Sequence, residues 1–143
     1  AGFEPGYVEA ASRFGRHLGI AYQIYDDLVD FFGDETRIGK TLGTDLTSGK
    51  LTLPLLVLRE RLEPAEQERL AEELAGRRTP DLPARLEQMR RLGVFARVAG
   101  EVAVELADAR AALAPWQALA PAPRLGELAD LLEAQVRSLA PAT

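Results

Sequence analysis

The sequence predicts an all-α protein, an antiparallel helical assembly of six or so helices, and three observations carry that prediction. Apolar residues recur at three- and four-residue steps through most of the chain, as one face of a helix requires. No stretch alternates apolar and polar residues as a half-buried strand would, and no internal repeat is visible. Prolines and glycines fall at the ends of the periodic segments, where they start and stop helices.

Taken in order, Ala1 to Gly6 read as a lead-in, and Pro5 suits a first helical turn. The first helix is expected from Pro5 to Phe32, with Gly33 as its stop. Gly15 and Gly19 recur within it at helical spacing, which close helix packing or room for a ligand beside Gly19 would explain. His17, the single histidine, is read as structural. A second helix is expected to begin near Thr52, capped by its hydroxyl, and to continue through Leu55, Leu56, Leu58 and Leu62. Pro64 opens a third carrying Leu70 and Leu74, closed by Gly76, with its Glu and Arg residues on a solvated face. Thr79-Pro80 reads as a cap and first turn for Leu82, Leu86 and Met89. Gly93 precedes a longer helix with Phe95, Val98, Val102, Leu106, Ala109 and Leu113 in one stripe, stopped by Pro115. Trp116 is expected to cover an apolar edge. Ala118 to Pro123 reads as a linker before a last helix with Leu125, Leu128, Leu132, Val136 and Leu139.

The stretch that asks for a chemical explanation is Tyr22-Gln23-Ile24-Tyr25-Asp26-Asp27-Leu28-Val29-Asp30. At about 100° per residue, Gln23, Asp26, Asp27 and Asp30 share roughly a quarter of the helix circumference. Phe14, Leu18, Ala21, Tyr22, Tyr25, Val29 and Phe32 cluster on the other side, and Ile20, Ile24 and Phe31 extend that surface. The carboxylates repel one another and sit near a helix C-terminus, where the dipole disfavours negative charge. A cation should compensate, and oxygen ligands without His or Cys suit a hard ion such as Mg²⁺. A solvated acidic helix end, or one paired with Arg or Lys, fits the bare acidic pattern as well. After Gly33 the residues Asp34 to Lys50 read as a loop with two Gly-Lys pairs, Gly39-Lys40 and Gly49-Lys50, able to return ammonium groups towards the carboxylates. Neither pair has the spacing of a Walker loop. Divalent cations beside lysines suit a polyanion.

Gln-Ile-x-Asp-Asp-x-x-Asp, then Gly-Lys, then Asp, then Gly-Lys-x-Thr-x-Pro-Leu resembles the second aspartate-rich region of the trans-type isoprenyl diphosphate synthases. The match is dense from Gly19 to Leu56; Thr41 stands where many members have Pro. The resemblance implies that residues 1–143 are the C-terminal part of a single all-α domain of the isoprenoid synthase type. It also implies a first Asp-rich motif, with a nearby Arg, well upstream of this region, and the sequence contains neither. The implied chemistry is Mg²⁺-dependent, head-to-tail condensation of isopentenyl diphosphate with an allylic diphosphate. By the same resemblance Asp26 binds the metal directly, and Asp27 and Asp30 ligate through water or orient. Lys40 contacts the allylic diphosphate, Gln23 lines that pocket, and Asp45 positions the loop or Lys40. Lys50 adds positive potential or forms a structural ion pair. A homodimer, or a complex with the missing N-terminal half, is the implied assembly. The competing expectation is a non-catalytic subunit that keeps the fold and half of the site.

Composition agrees with a folded domain and excludes other classes. Hydrophobic residues make up 47% of the 143, enough for one core and against disorder. The net charge of −5, with acids and bases interspersed, offers no basic patch for nucleic acid. No Cys is present, so disulfides and thiol catalysis are out, and a reducing, cytoplasmic setting is the expectation. No run of 18 apolar residues suggests a transmembrane segment.

Overall fold

A computed structural model describes residues 4–39, 41–119 and 121–141, with the backbone alone at 37 and 38. Among them there is no strand, and six helices of nine residues or more carry the chain. The fold is all-α, as the periodicity predicts. Helix α1 spans Pro5–Phe32, α4 Leu53–Arg61, α5 Pro64–Leu74, α6 Leu82–Arg91, α7 Val94–Leu113 and α8 Pro121–Leu139. Two single-turn helices, α2 (Glu35–Ile38) and α3 (Thr44–Thr47), interrupt the expected loop, and a 3₁₀ turn, Ala114–Trp116, follows α7. Residues 34–39 and 43–48 are therefore structured by caps, which hydrophobic periodicity does not register.

The chain divides into two units, Ala1–Tyr25 with Ala99–Ser138, and Asp26–Val98 with Leu139–Thr143. In the first, α1 buries Tyr7, Ala10, Phe14 and Ala21, a heptad-like stripe. Its α7 residues Val102, Leu106, Ala109 and Leu113 continue the expected stripe. The Tyr7 and Trp116 rings meet edge to face at 6.0 Å, so Trp116 does cover an edge. Ile20 and Tyr22, expected inside, are 42% and 40% exposed, because the buried sector of α1 is narrower than its apolar circumference. Gly15 and Gly19 have nothing within 4 Å of a would-be Cβ, so none of the described residues uses their smallness. Helix α8 starts at Pro121, inside the expected linker, since prolines are harmless in a first turn whose N–H groups lack partners anyway. Its buried stripe is Ala122, Ala129, Leu132 and Val136, which leaves Leu128 47% exposed. Arg110 on α7 holds Asp130 at 2.8 Å and Glu133 at 2.6 Å on α8.

In the second unit α3 and α4 both pack on α5. Leu28, Phe31, Leu46, Leu55, Leu58, Leu70, Met89, Val94 and Val98 are buried there, and Phe32 meets Phe95 edge to face at 5.2 Å. Thr52 is the N-cap of α4 but its hydroxyl makes no cap bond; Pro54, second in the helix, removes one of the two N–H groups such a cap can use. Helix α6 begins two residues later than Thr79-Pro80 suggests. The Asp81 N–H donates to Glu73 Oε1 at 3.2 Å, and the Asp81 carboxylate accepts from Ala84 N at 3.1 Å and caps the helix.

Glu73, expected on a solvated face, is 3% exposed and faces Arg85, which is 2% exposed. Arg85 Nε and Nη2 donate to Glu73 at 2.9 and 3.1 Å, and Nη1 donates to Glu66 and Gln88 at 2.9 and 2.7 Å. Every guanidinium nitrogen is thus engaged, which makes the burial tolerable. Arg85→Ala should therefore cost about 3–5 kcal/mol by stranding the Glu73 carboxylate, and adding Glu73→Leu should return most of it; urea denaturation measures both. Hydrogen bonds from Gln88 and Arg85 hold the Glu66 carboxyl below its ordinary value. Its stabilisation is therefore present above the usual carboxylate range and lost as pH falls through the depressed value. Glu66→Gln should flatten that acid limb in pH-dependent unfolding.

Candidate functional site

The C-terminal turns of α1 carry the predicted carboxylates in two environments. Asp26 is exposed, whereas Asp27 and Asp30 are 9% and 3% exposed. Asp30 accepts three hydrogen bonds from the start of α3: Thr44 N at 3.1 Å and Thr44 Oγ1 at 2.7 Å on Oδ1, and Asp45 N at 3.0 Å on Oδ2. Its backbone carbonyl accepts from Gly43 N at 2.7 Å. One aspartate thereby acts as the anionic cap for the next turn of chain. The chain can enter that turn because Gly43 has φ 75°, where a side chain is strained, and because a Cβ there would meet Leu82 Cδ2 at 2.6 Å. Gly49, at φ 76°, passes so near α5 that a Cβ would lie 2.5 Å from the Leu74 carbonyl oxygen.

Upstream, Asp34 accepts from Thr36 N at 2.9 Å and Thr36 Oγ1 at 2.7 Å, and caps α2. Glu35 Oε1 accepts from Leu42 N at 3.0 Å and closes the intervening loop. Asp45 is half-buried; burial first, then the Asp30 carboxylate, push its carboxyl above the ordinary value, and Lys50 partly offsets this. Asp27 adds to the same upward push. Local negative charge thus exceeds what Lys50 compensates, and the donor set is oxygen only, the chemistry that suits a hard divalent ion retaining water ligands.

The predicted residues are brought together unequally. Asp27, Asp30, Asp45 and Lys50 lie in the second unit and act on one another, with Asp26 exposed on the same helix end. Gln23 is exposed one turn earlier on α1, in the first unit. Lys40 lies outside the described residues. Thr44, Asp34 and Glu35 escape a motif reading; the signal for Thr44 is its place beside Gly43, where a helix start needs an acceptor. Asp26, Asp27 and Asp30 do not converge three ligand atoms as they stand. Among the described residues, that closeness belongs to His17, Glu105 and Asp108.

Residues 1–91 match the sequence model of the family described as polyprenyl synthetase. The chain belongs to the polyprenyl synthetase family. Relatives include a short chain isoprenyl diphosphate synthase of Methanothermobacter thermautotrophicus, 39% identical over 69 residues, which are 48% of this chain and 21% of that protein. The octaprenyl diphosphate synthase of Escherichia coli is 46% identical over 56 residues, 39% of this chain and 17% of that one. A polyprenyl synthase from Caulobacter crescentus, solved with calcium and isoprenyl diphosphate, superposes with a TM-score of 0.84 at 32% identity. The superposition covers 93% of this chain and 41% of that protein, so the chain spans under half the length of its relatives.

Replacing Asp30 tests the cap within this family scaffold. Asp30→Ala should cost about 2–4 kcal/mol, since three part-buried hydrogen bonds to an ionised group are lost. Asp30→Asn should be only partly tolerated, because its NH₂ must face either Thr44 or the Asp45 N–H. Denaturant unfolding of the two variants reads the difference.

Proposed function

We propose that residues 1–143 are the C-terminal part of a single all-α polyprenyl synthetase domain and carry one half of the active site of an isoprenyl diphosphate synthase. The reaction is head-to-tail condensation of isopentenyl diphosphate with an allylic diphosphate. The observation that carries the reading is the Asp30 cap, which ties the carboxylate end of α1 to the lysine-bearing segment.

In this proposal Mg²⁺ bound at the helix end neutralises charge developing on the departing pyrophosphate. Asp26, the exposed carboxylate, binds the ion directly. Asp27, nearly buried, ligates through water or orients its neighbour, and Asp30 holds the turn at Thr44 and Asp45. Lys40 contacts the allylic diphosphate, Gln23 lines the same pocket, Asp45 keeps the loop in place, and Lys50 supplies positive potential. In this reading the other metal-holding half belongs to an N-terminal portion of the whole protein. Ile20 and Tyr22, exposed on α1, are where helices of that portion pack. In the whole protein two such subunits form a homodimer.

The chain alone should then be nearly silent, since each lost metal contact removes several kcal/mol of transition-state stabilisation and 1.36 kcal/mol is tenfold in rate. The test is to assay the purified chain with Mg²⁺, isopentenyl diphosphate and allylic diphosphates of several lengths, alone and after adding a relative's N-terminal half. Turnover restored only in the mixture, and lowered at least about 100-fold by Asp26→Asn or Lys40→Ala, supports the proposal. Robust turnover by the chain alone overturns the half-site, and silence in both favours a non-catalytic subunit.

A further inference from the structure

His17, Glu105 and Asp108 form a second group of ligand-bearing side chains, in the first unit and separate from the Asp26 carboxylates. His17 stands at the position between Phe14 and Ala21 that the buried stripe of α1 reserves for a side chain facing inward. Its Nδ1 lies 2.7 Å from Glu105 Oε2 on α7, with both side chains about three-quarters buried at 28% and 22% exposure. Asp108, one turn on along α7, places a carboxylate oxygen so that ligand atoms of all three residues lie within 4.8 Å of one another. The Asp108 carboxylate has no hydrogen bond or ion pair among the described residues. A cavity of about 250 Å³, lined by Arg13, His17, Asp108, Ala111 and Ala112, opens beside it.

We propose that His17, Glu105 and Asp108 bind a first-row divalent cation of the zinc class, clamping α1 to α7. Two carboxylates one helical turn apart repel, and a divalent cation between them relieves that repulsion. Ligand atoms about 2.0–2.2 Å from a zinc ion stand roughly 3 Å from each other, which the His17 to Glu105 spacing already meets. Asp108, exposed and free to change rotamer, closes the third position, and the cavity admits water as the remaining ligand. The ion takes the place of the direct contact between Nδ1 and Glu105 Oε2. One nitrogen with two oxygens selects zinc or its neighbours over Mg²⁺, which prefers oxygen and keeps its waters.

The chain's single histidine makes the test unambiguous. Zinc chloride is titrated into the full chain in excess Mg²⁺, and the imidazole nitrogens are followed by ¹H–¹⁵N correlation. A saturable 1:1 shift is expected, with its midpoint raised at least about tenfold by Asp108→Asn or Glu105→Gln and within twofold of wild type in Asp26→Asn. Asp108→Asn changes an exposed side chain, so folding is not at issue. Imidazole nitrogens unmoved by zinc, or Asp108→Asn binding as tightly as wild type, would overturn the proposal.

Discussion

The Asp30 carboxylate is almost wholly buried, on a helix end that already carries Asp26 and Asp27, in the place where the helix dipole is least welcoming to an anion. Stripping a carboxylate of water costs several kcal/mol, and like charges nearby raise that cost. Two backbone N–H groups and the Thr44 hydroxyl converge on it and replace the lost water. The exchange has a structural consequence: among the described residues, Thr44 and Asp45 supply the hydrogen bonds to this carboxylate, and they hold the start of α3 at the end of α1. Asp45 is held by the same contact, and its carboxyl is raised first by burial and then by the Asp30 carboxylate beside it. A turn that must stay beside clustered carboxylates is suited to presenting cations to whatever those carboxylates hold.

The second unit rests on a comparable bargain away from the site. Arg85 and Glu73 are both buried, and each is tolerated only because the other and Glu66 complete its hydrogen bonds. That network joins α5 to α6 and draws Asp81 into its cap through Glu73. The backbone of α5 in turn crowds Gly49, so the end of the segment that bears Lys50 is shaped by the same helix.

Much of this was legible in the sequence, and the failures share a cause. Pro5, Gly33, Pro64 and Gly76 mark helix ends by local chemistry, so α1 and α5 fall where the sequence puts them. Thr79-Pro80 and Asp81-Leu82-Pro83 are both plausible starts, and a tertiary hydrogen bond from Glu73 decides between them. Ile20, Tyr22 and Leu128 are apolar yet exposed, because periodicity gives the phase of a helix but not the width of the surface a neighbour covers. Arg85 lies in register with Leu82, Leu86 and Met89, a visible signal whose partner, Glu73, is not deducible from spacing. Of the carboxylate motif, the residue types were legible; that Asp30 turns towards its own chain was not, since its partners begin 14 residues on.

The coupling of the helix end to the turn is tested most directly by backbone amide shifts as Mg²⁺ and inorganic diphosphate are added together to the chain. Asp26, Asp27, Thr44 and Asp45 should move with one common midpoint, and in Asp30→Ala the Thr44 and Asp45 shifts should separate from those of Asp26. Thr44 and Asp45 amides that stay still while Asp26 titrates would contradict the account.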